Sequence, residues 1–189
     1  MRLRLVVGIV GCAIFAFLPV DAEESSGWEK MTSFSPNKKF AMRIVCHSEP
    51  SDPEHIDSDS IKRLEIVSLP EKTVVGSLSP GGYGSFGLIW ASDSKWCAFH
   101  SSSGPRERET NVYRWQKDKF VQLDTGEMSV DVSGDVRNQY IEPVRWLKPG
   151  TLVLEQFTIL RGGGDSNIQF TVRFDESGKF QVIGKKKTR

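Results

Sequence analysis

Trp90-Ala91-Ser92-Asp93-Ser94-Lys95-Trp96-Cys97-Ala98-Phe99-His100 reads as an aromatic anchor, a polar turn and the start of a β-strand. Upstream, Phe34-Ser35-Pro36-Asn37-Lys38-Lys39-Phe40-Ala41-Met42 has the same layout. Downstream, Trp146-Leu147-Lys148-Pro149-Gly150-Thr151-Leu152-Val153-Leu154 repeats it with a shorter turn. The anchors Phe34, Trp90 and Trp146 are evenly spaced, 56 residues from each to the next. A fixed interval of that length implies one supersecondary unit per copy, each too small to bury its apolar face without a neighbour.

Each copy opens a unit with the same parts. A strand follows the turn at residues 40–47, 96–101 and 151–159. In the first, Phe40, Met42, Ile44 and Cys46 alternate with Ala41, Arg43, Val45 and His47, which is the period of a strand and not of a helix. The turns carry Pro36, Asn37, Asp93, Ser94, Pro149 and Gly150, residues that bond their own backbone or tolerate positive φ. Polar loops are expected next, at 48–60, 102–110 and 161–167. Hairpins close the units, with arms at 63–69 and 73–78, 111–115 and 120–123, and 168–174 and 180–183, rich in Val, Ile, Phe, Tyr and Trp. Segments 83–90 and 140–146 add a strand leading into the second and third units, and no window beyond the N-terminus has a helical period. The expected fold class is all-β: antiparallel sheets from three tandem units, about 31–79, 80–133 and 134–184, within a single domain at 23–189.

The string Phe34-Ser35-Pro36-Asn37-Lys38-Lys39-Phe40-Ala41 resembles the opening of a blade in TolB-type, WD-repeat-like β-propellers, where an aromatic precedes Ser-Pro-Asp-Gly-Lys and a hydrophobic strand. Ala91-Ser92-Asp93-Ser94-Lys95 follows that scheme, and Lys148-Pro149-Gly150 follows it more loosely. The resemblance covers about ten residues per unit and implies an architecture, not an activity. No copy holds the full Ser-Pro-Asp-Gly-Lys, and propellers close with about four to eight blades. An open arc, a ring completed by a second copy through open sheet edges, and a sandwich or barrel built from the same hairpins all stay open. Lys185-Lys186-Lys187 reads as a solvated tail, or else as charge guarding such an edge.

The first 22 residues look like a secretory signal peptide. Arg2 and Arg4 precede a mostly apolar run at 5–20, and Val20-Asp21-Ala22 ends on a small residue suited to cleavage. The run is too short and too interrupted for a stable membrane span. Ile9-Val10-Gly11-Cys12 offers a minor alternative, a lipid anchor at Cys12. Export to the periplasm or medium is the expectation. Removing Arg2, Arg4 and Asp21 takes the 25 basic and 24 acidic residues of the chain to 23 of each. A balanced charge argues against nucleic acid as a partner. Cys46 and Cys97, placed on opposite faces of their strands by the alternation, are expected to be buried free thiols.

Residues 47–59 hold the densest set of potential ligands, including His47, Asp52, Glu54, His55, Asp57 and Asp59, but their spacing fits no calcium or zinc pattern. A solvated acidic loop and no metal are expected. Arg161-Gly162-Gly163-Gly164-Asp165 could wrap an anion, yet a strand and not a helix follows it, so a hairpin turn is expected. His100 with Ser101, Ser102 and Ser103 has no nucleophile-elbow string around it. Trp90 and Trp146 suit core anchors. Trp28 would be half exposed, and Trp115 would face out.

The strongest functional expectation is positional. Three polar loops at one place in stacked units would gather on one rim, and such loops carry function on rigid scaffolds. Glu54, His55, Arg106, Arg108, Arg161 and Asp165 are the candidate binding residues there, with no catalytic set and no cofactor. The expectation is an exported, non-enzymatic binding or scaffold module for a protein or small-molecule partner. The alternative is an exported hydrolase with a loop-borne site.

Overall fold

The computed structural model of the chain describes residues 27–79 and 81–188, with Tyr83 and Gly84 in their backbone alone. The expected signal segment, residues 1–22, and with it Cys12, lies outside the described residues. The first unit holds β1 (Glu29–Thr32), β2 (Phe40–Cys46), β3 (Ile61–Ser68) and β4 (Val74–Leu78). The second holds β5 (Tyr83–Trp90), β6 (Trp96–Gly104), β7 (Glu107–Gln116) and β8 (Lys119–Gln122). The third holds β9 (Val136–Lys148), β10 (Thr151–Leu160), β11 (Asp165–Phe174) and β12 (Phe180–Lys187).

Within each unit consecutive strands pair antiparallel, giving three four-stranded meanders. The first is a sheet of its own. The other two fuse into one eight-stranded sheet, because β7 and β9 run parallel at Glu107↔Gln139 and Arg108↔Tyr140. A single 3-10 turn at Ser58–Ser60 is the one helical element among the described residues. The protein is all-β, and its sheets do not close into a barrel.

The first two turns are built alike. The N–H of Ser35 donates to the Phe40 carbonyl and that of Ala91 to the Trp96 carbonyl, each at 2.9 Å. Asn37 and Asp93 accept the backbone N–H of Lys39 and Lys95 through Oδ1, at 3.0 and 2.9 Å. Lys38 and Ser94 share a φ of 58°. The third turn is tighter: Gly150, at φ 73°, helps close a two-residue reversal between Lys148 and Thr151. That difference shifts the next strand by one residue, and a one-residue shift in a period of two turns every side chain to the other face. Trp96, six residues after its anchor, points forward to the third unit, whereas Leu152, six after Trp146, points back to the second. Leu152 therefore stands where Cys97 stands in β6.

Two cores result, one in each seam between units. Met42, Ile44, Leu64 and Ile66 meet Leu88, Cys97, Phe99 and Tyr113 in the first. Ala98, Val112 and Met128 meet Ile141, Leu154, Phe170 and Val172 in the second. Each seam is fastened in the same way. The indole N–H of Trp90 donates to the Ser33 carbonyl at 2.5 Å, and that of Trp146 to the Ile89 carbonyl at 3.3 Å. Both acceptors are the residue just before the preceding anchor. The ring opening each forward strand packs against the next anchor, Phe40 against Trp90 at 6.1 Å and Trp96 against Trp146 at 6.0 Å.

Phe34 departs from this pattern. It is 48% exposed under the Lys38 ammonium, because its side of the first unit meets no other unit among the described residues. Trp115 does not face out as expected: it packs against Phe40 and Phe120 at the edge of the first core. Trp28 is partly buried against the same core. Cys46 and Cys97 are free, buried and in that core together, and burial raises the Cys97 thiol well above its ordinary range. Lys185, Lys186 and Lys187 do not form a tail. They lie in β12, an exposed edge strand paired to β11.

The outward side of the first unit is ionic. Arg43 pairs with Glu65 at 2.6 Å and with Glu29 at 3.7 Å, Lys72 also reaches Glu29, and Arg63 reaches Glu65 at 3.1 Å.

Candidate functional site

Each unit turns one face forward. In the first, Met42, Ile44, Leu64 and Ile66 fill it and lie buried beneath the second unit. In the second, the matching positions are Ala98, His100, Thr110 and Val112; Ala98 and Val112 lie in the core shared with the third unit, and the Thr110 hydroxyl donates to the Ile141 carbonyl. In the third they are Val153, Glu155, Gln169 and Thr171, and no unit covers them among the described residues. The forward face thus changes along the stack from apolar to polar while its backbone position stays the same.

Two rows of side chains cross this last face. Arg108, Tyr140, Phe157 and Asn167 stand side by side on β7, β9, β10 and β11. One step along, Glu142, Glu155 and Gln169 do the same. The rings of Tyr140 and Phe157 are nearly parallel, 21° apart with centroids at 6.2 Å, and Phe157 is 37% exposed. A partly exposed aromatic pair beside two carboxylates, two amides and Lys186, which stands opposite Gln169 on β12, is unlike the apolar forward face of the first unit.

The row is held from its loop end. Arg108 pairs with Glu142, donates to Ser102 Oγ at 3.4 Å and lies 5.9 Å from the centre of the Tyr140 ring. The Tyr140 hydroxyl donates to the Pro105 carbonyl at 3.3 Å and accepts from Asn138 Nδ2 at 2.7 Å. Asn138 Oδ1 and Asn167 Oδ1 are buried with no protein donor. Nearby, His100 has its pKa lowered to about 4, first by burial and then by the Arg108 charge. Its ring lies over Gly87, where a Cβ would come within 2.7 Å of Cε1. The imidazole is neutral at neutral pH, and its buried Nδ1 makes no hydrogen bond.

The six loop residues expected to bind divide into two groups. Arg108 and Asp165 belong to strands, because ladder pairing shrinks the second and third polar loops to tight turns. Asp165 faces Ile159 on the side of β10 that carries Phe157. Arg106 and Arg161 lie in those turns. The Arg106 carbonyl accepts the Gln139 N–H at 3.0 Å, and Arg161 pairs with Asp135 at 3.3 Å. Glu54 and His55 lie elsewhere, along a groove of about 550 Å³ between the first loop and β5 that Lys30, Ile56 and Phe86 also line. Glu54 pairs with Lys30 at 3.0 Å. His55 Nδ1 lies 2.9 Å from Asp52. The Asp52 carboxyl is held below its usual range, first by the Glu54 N–H and then by His55.

A second cavity, of about 500 Å³, opens beside β7 and is lined by Glu109, Asn111, Asp124 and Glu127. Among the described residues no His, Cys, Asp or Glu cluster could hold a metal ion, and no helix is long and apolar enough to cross a membrane.

Neither a family model nor a curated protein matches the chain. What can be said of its function rests on the chemistry of these surfaces. Tyr140, Glu142, Phe157, Glu155, Gln169 and Asn167 escaped the sequence reading. Tyr140 read only as a strand residue, and Phe157 sits in the mostly apolar run 152–160, where alternation cannot separate a core ring from an exposed one.

Proposed function

We propose that the chain is an exported, non-enzymatic binding module of propeller-blade-like units in an open arc, which holds its ligand on the forward face of the third unit. The row Arg108, Tyr140, Phe157 and Asn167 carries this reading: four strands deliver it to a surface bordered by the turns of Arg106 and Arg161. The meander of each unit and the repeated tryptophan bonds support the blade-like description. The exposed Phe157 ring beside Glu155 and Gln169 suits recognition, since an apolar surface bordered by polar groups can both pack and orient a ligand. A rigid sheet also positions side chains with less entropic cost than a loop does.

The test is co-purification. Full-length protein and the double variant Y140A/F157A are recovered from the source cells and their medium, and whatever each carries is read by native mass spectrometry. The parent should retain a ligand that the variant loses, with their melting temperatures close together. A variant that keeps every bound species would sink the reading.

A further inference from the structure

We infer that the turn end of the third unit's forward face rests on a membrane surface rich in anionic lipid. Leu147 and Ile183 enter the headgroup layer there, and Arg145, Arg173 and Lys186 face the lipid phosphates. The contact is peripheral, crosses no bilayer and does not depend on what the aromatic row binds.

The balanced charge of the chain conceals an uneven distribution. Residues 136–188 carry nine basic and five acidic side chains, against seven and eight in residues 27–79 and six and eight in residues 81–135. The third unit thus holds a positive surplus while the other two are slightly negative. Arg145 stands opposite Val153, Arg173 opposite Thr151 and Lys186 opposite Gln169, so all three share the forward face. None of the three forms an ion pair among the described residues. Arg145 and Arg173 lie on the turn side of Glu142 and Glu155, whose carboxylates would repel headgroup phosphates. The turn end, and not the middle of the face, therefore meets the lipid.

Apolar exposure is concentrated in the same unit. Of eight large apolar side chains exposed among the described residues, six belong to it. Two of these have counterparts that are covered elsewhere. The residue after each anchor is Ser35, Ala91 or Leu147, and the first two are fully buried. Leu147, skipped where Thr151 pairs with Lys148 and Leu152 with Trp146, is 55% exposed. Ile183 is skipped where Thr171 pairs with Gly184 and Val172 with Val182. The same bulge in the first unit skips Val75, which packs against the first core. A Cβ at Gly76 would meet Phe120 of the second unit at 3.1 Å, whereas one at Gly184 would meet nothing within 4 Å. The place that receives a neighbour in the first seam is therefore open beside Ile183, which is 43% exposed. Bulges re-aim side chains, and these two leave aliphatic residues in solvent beside cations.

Separate apolar side chains set among cations match an anionic bilayer, where buried apolar area and electrostatic attraction add. A soluble polyanion would use the charge and leave Leu147 and Ile183 without a role. A protein interface centres on a contiguous apolar patch depleted in lysine, whereas β12 carries Lys185, Lys186 and Lys187 along its exposed edge. A second copy stacked in the manner of a seam would bring Glu155 against the back of the first unit, where Arg43 is already paired to Glu65 and Glu29. Guarding a sheet edge accounts for lysines on β12, but not for Arg145 on β9.

Protein purified as the source cells process it is sedimented with vesicles of phosphatidylcholine and phosphatidylglycerol in equal parts, and with vesicles of phosphatidylcholine alone. It should bind the anionic vesicles only, and raised salt should release it. R145Q/R173Q should weaken binding about tenfold or more, since each cation near such a surface contributes about fivefold. I183S and L147S should each weaken it severalfold. K38Q/K39Q removes the same charge from the first unit and should leave binding unchanged. All four variants should melt close to the parent. Binding to neither vesicle, equal binding to both, or a loss no larger for R145Q/R173Q than for K38Q/K39Q would overturn the inference. Indifference to both I183S and L147S would do the same. So would retention on immobilised sulfated polysaccharide without vesicle binding, which marks a soluble polyanion, or a parent dimer that I183S dissociates.

Discussion

Ile44 and Glu155 occupy the same place in their units. Each lies at the middle of the second strand, on the forward face, with a leucine or glutamine opposite on the third strand: Leu64 for Ile44, Gln169 for Glu155. Ile44 is buried in a seam and Glu155 reaches solvent. The place in the meander is shared, but the second unit covers Ile44 while no unit among the described residues covers Glu155. His100, at the corresponding place in the second unit, is intermediate: partly buried, uncharged and still polar.

The largest effect is expected where that equivalence is broken. Ile44→Glu places an unpaired carboxylate in the first seam and should cost about 4 kcal/mol or more. The reciprocal Glu155→Ile should change stability by no more than about 0.5 kcal/mol. Urea unfolding of both variants checks the pair, and similar losses would show that the two faces are not distinct.

His100 sharpens the comparison through pH. Its folded pKa of about 4 lies below the ordinary 6.5, so the unfolded chain takes up the proton first. Its contribution is full above 6.5 and declines as the pH falls toward 4, by about 2 kcal/mol after allowance for partial exposure. His100→Gln should remove that part of the slope between pH 7 and 4.5. An unaltered slope in the variant would place the acid sensitivity elsewhere.

The smallest effects concern the anchors. Trp90→Phe and Trp146→Phe each delete an indole bond that repeats from seam to seam, and each should cost about 1 kcal/mol. Phe34→Ala, at the anchor no unit covers, should cost less than about 0.5 kcal/mol. Thermal melts of the three variants would break the equivalence if one tryptophan mattered far more than the other.

The interval from Phe34 to Trp90 to Trp146 was legible because large aromatics and turn formers mark positions whatever surrounds them. The strands were legible from alternation, as in Phe40, Met42, Ile44 and Cys46. Which face each strand buries in the third unit was not. The Pro149-Gly150 turn shifts β10 by one residue relative to β6, and spacing in the sequence stays at 56 regardless. The site was hidden for a related reason. Residues 107–110 look like a polar loop, yet pairing on both sides extends β7 through them and sets Arg108 beside Tyr140. That parallel contact joins residues 32 positions apart, and nothing local announces it. Glu54 and His55 stand at a groove in another part of the molecule because the first loop, unlike the other two, keeps its length.

Cys46 and Cys97 lie in one seam, and neither side chain meets solvent while the first two units stay together. A thiol-reactive probe can reach them only during transient parting of those units, so their labelling rate measures how often that seam breathes. The second seam holds no cysteine among its core residues and would open unnoticed by such a probe. The molecule thus comes with a chemical stopwatch wired to one of its two joints.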